Sequence, residues 1–339
     1  MKVGVHVGHW EGKPHDVIAL ARTAQACGLD SVWVSETWGS DAVVLAAWIA
    51  ACTDRIGVGT CALQMPARTP AAAAMAALTI DHLSGGRFRL GLGVSGPIVV
   101  EGWHGVSFAS ALTRTREYVD IVRAVLRRDA PLVHDGSLYP LPLPGGAGKP
   151  LKANVVPLRA DLPIYLAAMG PRNVALAAEV ADGWMPFFFS PERADVFTPW
   201  LEEGFARRGD RRDVFDVAPI VPVAIGPDLV ACRDEIRPLL PLYVGAYGVK
   251  GGNYYHDLMA RFGFEGAAAA IQDAYLAGRR ADATAAVPDD MIDAVSLVGP
   301  VDRVRDRLQA YAATGVTTLI GKTKESDTIQ ALGRAAAGA

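Results

Sequence analysis

The sequence predicts a (β/α)8 barrel, and three observations carry the prediction. Short apolar stretches recur along the chain, each fit to be covered on both faces and each followed by a helical period. No compositional break divides the 339 residues into halves. The first apolar stretch also lacks the G-x-G-x-x-G turn that opens a doubly wound dinucleotide fold, the alternative for such alternation. Residues 81–105 show the pattern in miniature. An Ala-rich helical run ends there, Ser84-Gly85-Gly86 turns the chain, and a strand over 87–93 gives way to Gly91, Gly93 and Gly96. Glycine weakens a strand, so its use at the carboxyl end implies close approach by another backbone or a ligand.

Residues 3–7 form the first strand, and His9 and Trp10 follow in a loop. Pro14 stands where the next helix begins, Val17, Ile18, Leu20, Ala21 and Ala24 form its apolar stripe, and Gly28 closes it. Strand two spans 31–35, and Ser40-Asp41 opens the helix that runs to Cys52. Strand three spans 56–60, Pro70 starts the Ala-rich helix, and strand four is the one over 87–93. A long amphipathic helix covers 112–128. Residues 131–159 are rich in Pro and Gly and have no helical period. They read as an insertion with a hairpin, because the alternation resumes beyond them. Strands five, six and seven fall at 163–168, 183–187 and within 214–225, with helices over 171–180 and 191–207 between them. Residues 229–286 hold more helix than one crossover needs. A helix over 301–314 ends at Gly315, and strand eight is 316–320. The chain is thus one barrel domain over 1–339, with insertions near 131–160 and 229–286.

Hydrophobic residues make up 51% of the chain and charged residues 20%, the balance of a compact globule rather than a disordered chain. A net charge of −3 with both signs interspersed argues against a nucleic-acid or anionic-membrane partner. No apolar run approaches the ~18 residues of a membrane span. The four cysteines are scattered, with no C-x-x-C and no histidine at metal-ligand spacing, so neither a disulfide framework nor a metal site is expected. A reducing cytoplasm is the natural compartment.

In a barrel the carboxyl ends of all strands converge on one face. That brings His6, His9, Glu36, Thr37, Cys61, Gln64, Ser95, Ala168, Gly170 and Phe188 around one pocket. Met169-Gly170-Pro171-Arg172-Asn173 reads as an anion site: glycine permits close approach, proline suits the first turn, and the next amides point out of a helix N-terminus. The plain alternative is an ordinary Gly-Pro helix start. Glu36 either meets a ligand or caps the helix opened by Ser40-Asp41. His9 is a candidate substrate-side acid or base, whereas His6 is expected to be a satisfied core histidine. Cys61 has no base at a recognisable spacing and is no nucleophile.

Several stretches carry a resemblance: GLDSVWVSETWGSDA at 28–42, LGLGVSGPIVVEGWHG at 90–105, RTREYVDIV at 114–122, PIYLAAMGPRNVALAAEVADGW at 163–184 and SLVGPVDRVRDRL at 296–308. Together they resemble the luciferase-like monooxygenase superfamily, and within it the oxidoreductases that use the deazaflavin coenzyme F420, close to methylenetetrahydromethanopterin reductase. The stretches span nearly the whole chain in the family's order. The resemblance implies a homodimer of barrels, each holding F420 in its carboxyl-end pocket. It matches Glu36, with Thr37 beside it, to an acidic residue after strand two, and Cys61-Ala62 to a non-prolyl cis peptide after strand three. It lays Val94-Ser95-Gly96 along the cofactor, and has Ala167-Ala168-Met169-Gly170, with Arg172, cradle the phosphate. The implied reaction is hydride transfer between the deazaflavin C5 and an organic substrate, with Glu36 and His9 as candidate catalytic groups. An FMN-dependent monooxygenase on the same scaffold is the second reading, and a carrier barrel without turnover the third. Activities differ widely on this scaffold, so the substrate does not transfer.

Overall fold

A computed structural model describes residues 1–10, 12–208, 215–246 and 251–339. The strands are β1 (Lys2–Gly8), β2 (Ser31–Val34), β3 (Gly57–Thr60), β4 (Leu63–Gln64), β5 (Phe88–Gly93), β6 (Ile164–Ala167), β7 (Gly183–Trp184), β8 (Asp216–Val217), β9 (Ile220–Ile225), β10 (Leu297–Gly299) and β11 (Thr318–Lys322). They pair in parallel in the order β10-β9-β11-β1-β2-β3-β5-β6-β7-β8, with β4 beside β5. β8 and β9 are one stave interrupted at Ala218-Pro219, where proline lacks the amide a ladder needs. Through this stave the sheet closes on itself. The Ala218 amide donates to Trp184 O at 2.8 Å, the Thr317 amide to Val217 O at 3.1 Å and the Ile320 amide to Pro219 O at 2.9 Å. Phe187 and Ile220 add a parallel bridge. The eight expected strands are all present, and the architecture is the TIM-barrel-like one.

Local sequence explains most boundaries. Asp16, not Pro14, starts the first helix (Val17–Ala26), because its Oδ1 accepts from the amides of Ile18 and Ala19 at 3.0 and 2.9 Å. Asp41 caps Ala42–Cys52 through the Val44 amide, and Thr69 with Pro70 opens Pro70–Leu83. The last strand runs two residues past its expected end, to Lys322. β4 and β10 were not expected; runs of two and three residues carry no period to read. Val214, where the seventh strand was expected to begin, lies outside the described residues. The segment 131–160 carries one antiparallel bridge, His134 to Leu141, and Glu117 on the helix Ala111–Arg127 anchors it. Its carboxylate accepts from the Ser137 hydroxyl and from the amides of Ser137, Leu138 and Tyr139 at 2.9–3.0 Å. Residues 229–286 supply the helices Leu229–Ile236, Leu239–Ala246, Tyr254–Arg261, Glu265–Leu276 and Arg280–Ala285.

Glycines let the barrel interior fill from its amino-terminal end. A Cβ at Gly4 would overlap the Ser31 hydroxyl, and one at Gly59 the Trp33 indole. Trp33 crosses the interior to meet Tyr165 of β6 edge-on, ring centroids 5.4 Å apart. Below it, Arg89 pairs with Asp30 at 2.7 Å, and the Tyr165 hydroxyl donates to Asp216 at 2.8 Å. Truncating so fully buried an indole costs about 3–5 kcal/mol. With this end filled, the carboxyl ends of the strands are where a barrel of this kind places its site.

Candidate active site

Strand alternation fixes what faces inward at those ends. Gly4 faces inward against Trp33, so His6, two residues on, also faces inward, one layer nearer the mouth. His6 is only 5% exposed, and neither ring nitrogen has a hydrogen-bond partner. The expectation of a satisfied core histidine is therefore corrected. Its register partner on β11 is Lys322, and the Lys324 side chain lies across Gly8, with Cε 2.8 Å from where a Cβ would stand. Burial, then the positive charges of Lys322, His9 and Lys324, push the His6 pKa well down, so the ring is neutral near pH 7.

Two hydroxyls from the end of β2 hold His9. Nδ1 lies 2.9 Å from Ser35 Oγ, and Nε2 lies 2.8 Å from Thr37 Oγ1. Glu36 between them is buried and fully engaged. Arg68 donates to both its oxygens at 2.8 and 2.9 Å, the Gln64 amide donates at 3.0 Å, and the Ala42 amide donates at 3.4 Å. Glu36 thus reaches the first amide of the helix it was expected to cap, and its main engagement is a forked ion pair with Arg68 that ties the end of β2 to the turn Met65–Ala67. Burial works against the Arg68 charge, but Glu36 outweighs it and the guanidinium pKa stays raised. Gln64 donates to Thr37 O at 2.6 Å, while its own Oε1 is buried without a partner.

The Cys61-Ala62 peptide is cis, as the resemblance implies, and burial pushes the Cys61 thiol pKa far up, leaving it inert. Small groups meet beside it. A Cβ at Gly93 would lie 3.2 Å from the Ala62 Cβ and 3.8 Å from the Ala167 Cβ, so Ala62, Gly93 and Ala167 meet as a floor of small groups. Val94 follows, then Ser95 with a left-handed φ of 62°, and Gly96 at the start of the short helix Pro97–Gly102. Ala168 O accepts from the Trp184 indole at 2.8 Å, and Met169 sulfur from the Phe187 amide at 3.2 Å.

Gly170 precedes the helix Pro171–Val180 with no side chain capping it, so the first amides remain open to an anion, with exposed Arg172 in the first turn. Its φ of −85° needs no glycine. What needs glycine is Tyr254, whose Cε1 would lie 2.9 Å from a Cβ at this position. Phe187, Phe188, Tyr243 and Tyr255 form an aromatic wall, with ring centroids 4.1–6.2 Å apart, beside this helix end. Sequence reasoning missed Arg68, Lys322 and the tyrosines at 243, 254 and 255. Lys322 was within reach, as a lysine two residues past an apolar strand. The tyrosines lie on an inserted segment, where no strand end marks them. A floor of small groups, an uncapped helix end and an unpartnered imidazole fit a ligand that packs closely on the floor and carries an anionic group, with a smaller molecule beside it.

Comparison with known proteins bears on the fold and the family. The family model described as Luciferase-like monooxygenase matches residues 1–318. A Mycobacterium tuberculosis protein named as a coenzyme F420-dependent oxidoreductase is 46% identical over 327 residues, 94% of each chain. The 5,10-methylenetetrahydromethanopterin reductase of Archaeoglobus fulgidus is 28% identical over 314 residues, 91% of this chain and 89% of its own. Among solved structures, the coenzyme F420-dependent tetrahydromethanopterin reductase of Methanopyrus kandleri superposes with a TM-score of 0.83 at 22% identity, covering 98% of this chain and 97% of the other.

Proposed function

The chain belongs to the luciferase-like monooxygenase family, and from that premise we propose that it is an F420-dependent oxidoreductase, moving a hydride between the deazaflavin C5 and a small organic substrate. The observation that carries this reading is the uncapped helix end at Gly170 beside the floor of Ala62, Gly93 and Ala167. Of the two cofactors such a site could take, the Mycobacterium tuberculosis relative named for F420 favours F420 over FMN. When bound, the coenzyme supplies a carbon centre that gives or takes hydride without needing oxygen.

The chain's own residues bind, orient and shield. Ala62, Gly93 and Ala167 would receive the cofactor's ring, and Val94-Ser95-Gly96 would contact it beside them. The amides after Gly170 and the Arg172 guanidinium hold the phosphate. Glu36 acts on position: through Arg68 and the Gln64 amide it fixes the segment that holds Cys61-Ala62. His9 is the acid or base, since both its ring nitrogens contact hydroxyls through which a proton can pass. Phe187, Tyr243 and Tyr255 keep water from the mouth. The working form is a homodimer, and four free thiols suit a reducing cytoplasm.

Fluorescence titration tests this. F420 should bind at micromolar concentration or tighter, and FMN more weakly. Arg172→Glu places a carboxylate beside the phosphate amides and should weaken F420 about tenfold, roughly 1.4 kcal/mol. Tighter binding of FMN than F420, or no loss in Arg172→Glu, would overturn the assignment.

A further inference from the structure

His6 stands out in the barrel interior because its whole side chain lacks a partner, whereas Gln64, whose Oε1 is also buried and unpaired, still donates to Thr37 O. Asp30, Asp216, Tyr165 and Glu36 all have partners, but both His6 ring nitrogens are buried and unpartnered. Leaving a buried polar group unpaired is costly, so a fold that keeps one at the carboxyl end of a strand keeps it for something that arrives later. The surroundings define what arrives. Lys322 is the residue registered beside His6 on the next strand, Lys324 lies over Gly8, and His9 stands three residues on. This surrounding is basic, and it favours an electron-rich atom. A neutral imidazole in it still offers an N–H donor.

We propose that His6 is a substrate-contacting residue whose ring N–H receives a carboxylate or carbonyl oxygen of the substrate, with Lys322 supplying the neighbouring positive charge. The inference rests on the reading that this mouth is where the substrate meets the cofactor, and it adds the class of group the substrate presents. His6 and Lys322 sit on β1 and β11, whereas the floor and the uncapped helix end belong to the turn after β3, to β5 and β6, and to the turn after β6. His6 therefore lies on the substrate's side of the pocket.

Ring-nitrogen NMR of the histidine-labelled protein decides it, with His6→Gln used to assign the signal. Acetate and acetone, of nearly equal size, the first anionic and the second neutral, are titrated into the apo protein. At least one should move the His6 ring signals in a saturable way. Lys322→Met should weaken acetate about tenfold and leave acetone within about twofold. If neither probe moves His6, it is a packed core residue and the proposal falls. It falls equally if F420 alone moves His6 as far as the probes do, because the ring then serves the cofactor. Failure of F420 to bind strikes only the cofactor reading, since the two probes are read on the apo protein. The wild-type titration needs no folded variant, and backbone assignment replaces His6→Gln should that variant fail.

Discussion

Glu36 commits both carboxylate oxygens to Arg68 and to the amides of Gln64 and Ala42. Glu36→Gln removes the charge from the fork but leaves Arg68 a second partner, Asp41, at 2.8 Å. The variant should lose about 2 kcal/mol of stability by urea denaturation. An unchanged midpoint would mean that the fork does not hold this end of the barrel. The sequence made Glu36 conspicuous at a strand end, yet its partner stands thirty-two residues later, behind a 3-10 turn. His6 was misread for a related reason. Whether a buried nitrogen has a partner depends on segments distant in sequence, here β11 and the residues after it, and no local pattern reports it.

At the level of elements, the main strands were legible because parallel strands covered on both faces are apolar runs bounded by Gly, Pro and Asp. The additions β4 and β10 were not, being shorter than any period, and the true end of β11 was hidden by its lysine. The 131–160 segment was rightly read as non-helical, but its anchor was not foreseen. Burial works against the Glu117 charge, yet the amides of Leu138, Tyr139 and Ser137 with the Ser137 hydroxyl hold its pKa below the usual carboxylate value. The sign follows. The stability this residue contributes is complete above the unfolded carboxylate's pKa and is lost as pH falls through the lowered folded value. Glu117→Gln should cost about 1–3 kcal/mol near pH 7. Thermal melts of the two proteins should converge in acid, and a gap that persists there would assign the loss to packing instead.

For the whole molecule, the helices Ala42–Cys52 and Pro70–Leu83 pack side by side and turn Val44, Trp48, Met75 and Leu83 outward, largely exposed. A contiguous apolar face of this kind marks an association surface, and a second copy of the chain can bury it about a two-fold axis. Light scattering at micromolar concentration should report a dimer. The double variant Val44→Asp, Trp48→Lys should shift the mass to the monomer. A monomeric wild type would remove the dimer from this account.

The order of the barrel staves also sets a timetable. β1 lies between β2 and β11, with Lys2 beside Thr318 and His6 beside Lys322. As the chain leaves the ribosome, its first strand has one neighbour early and must wait for nearly all the rest to gain the other. Until β11 is made, β1 and β9 both present bare edges that another nascent chain could pair with. The histidine and the lysine that stand side by side at the mouth become neighbours only with the final strand.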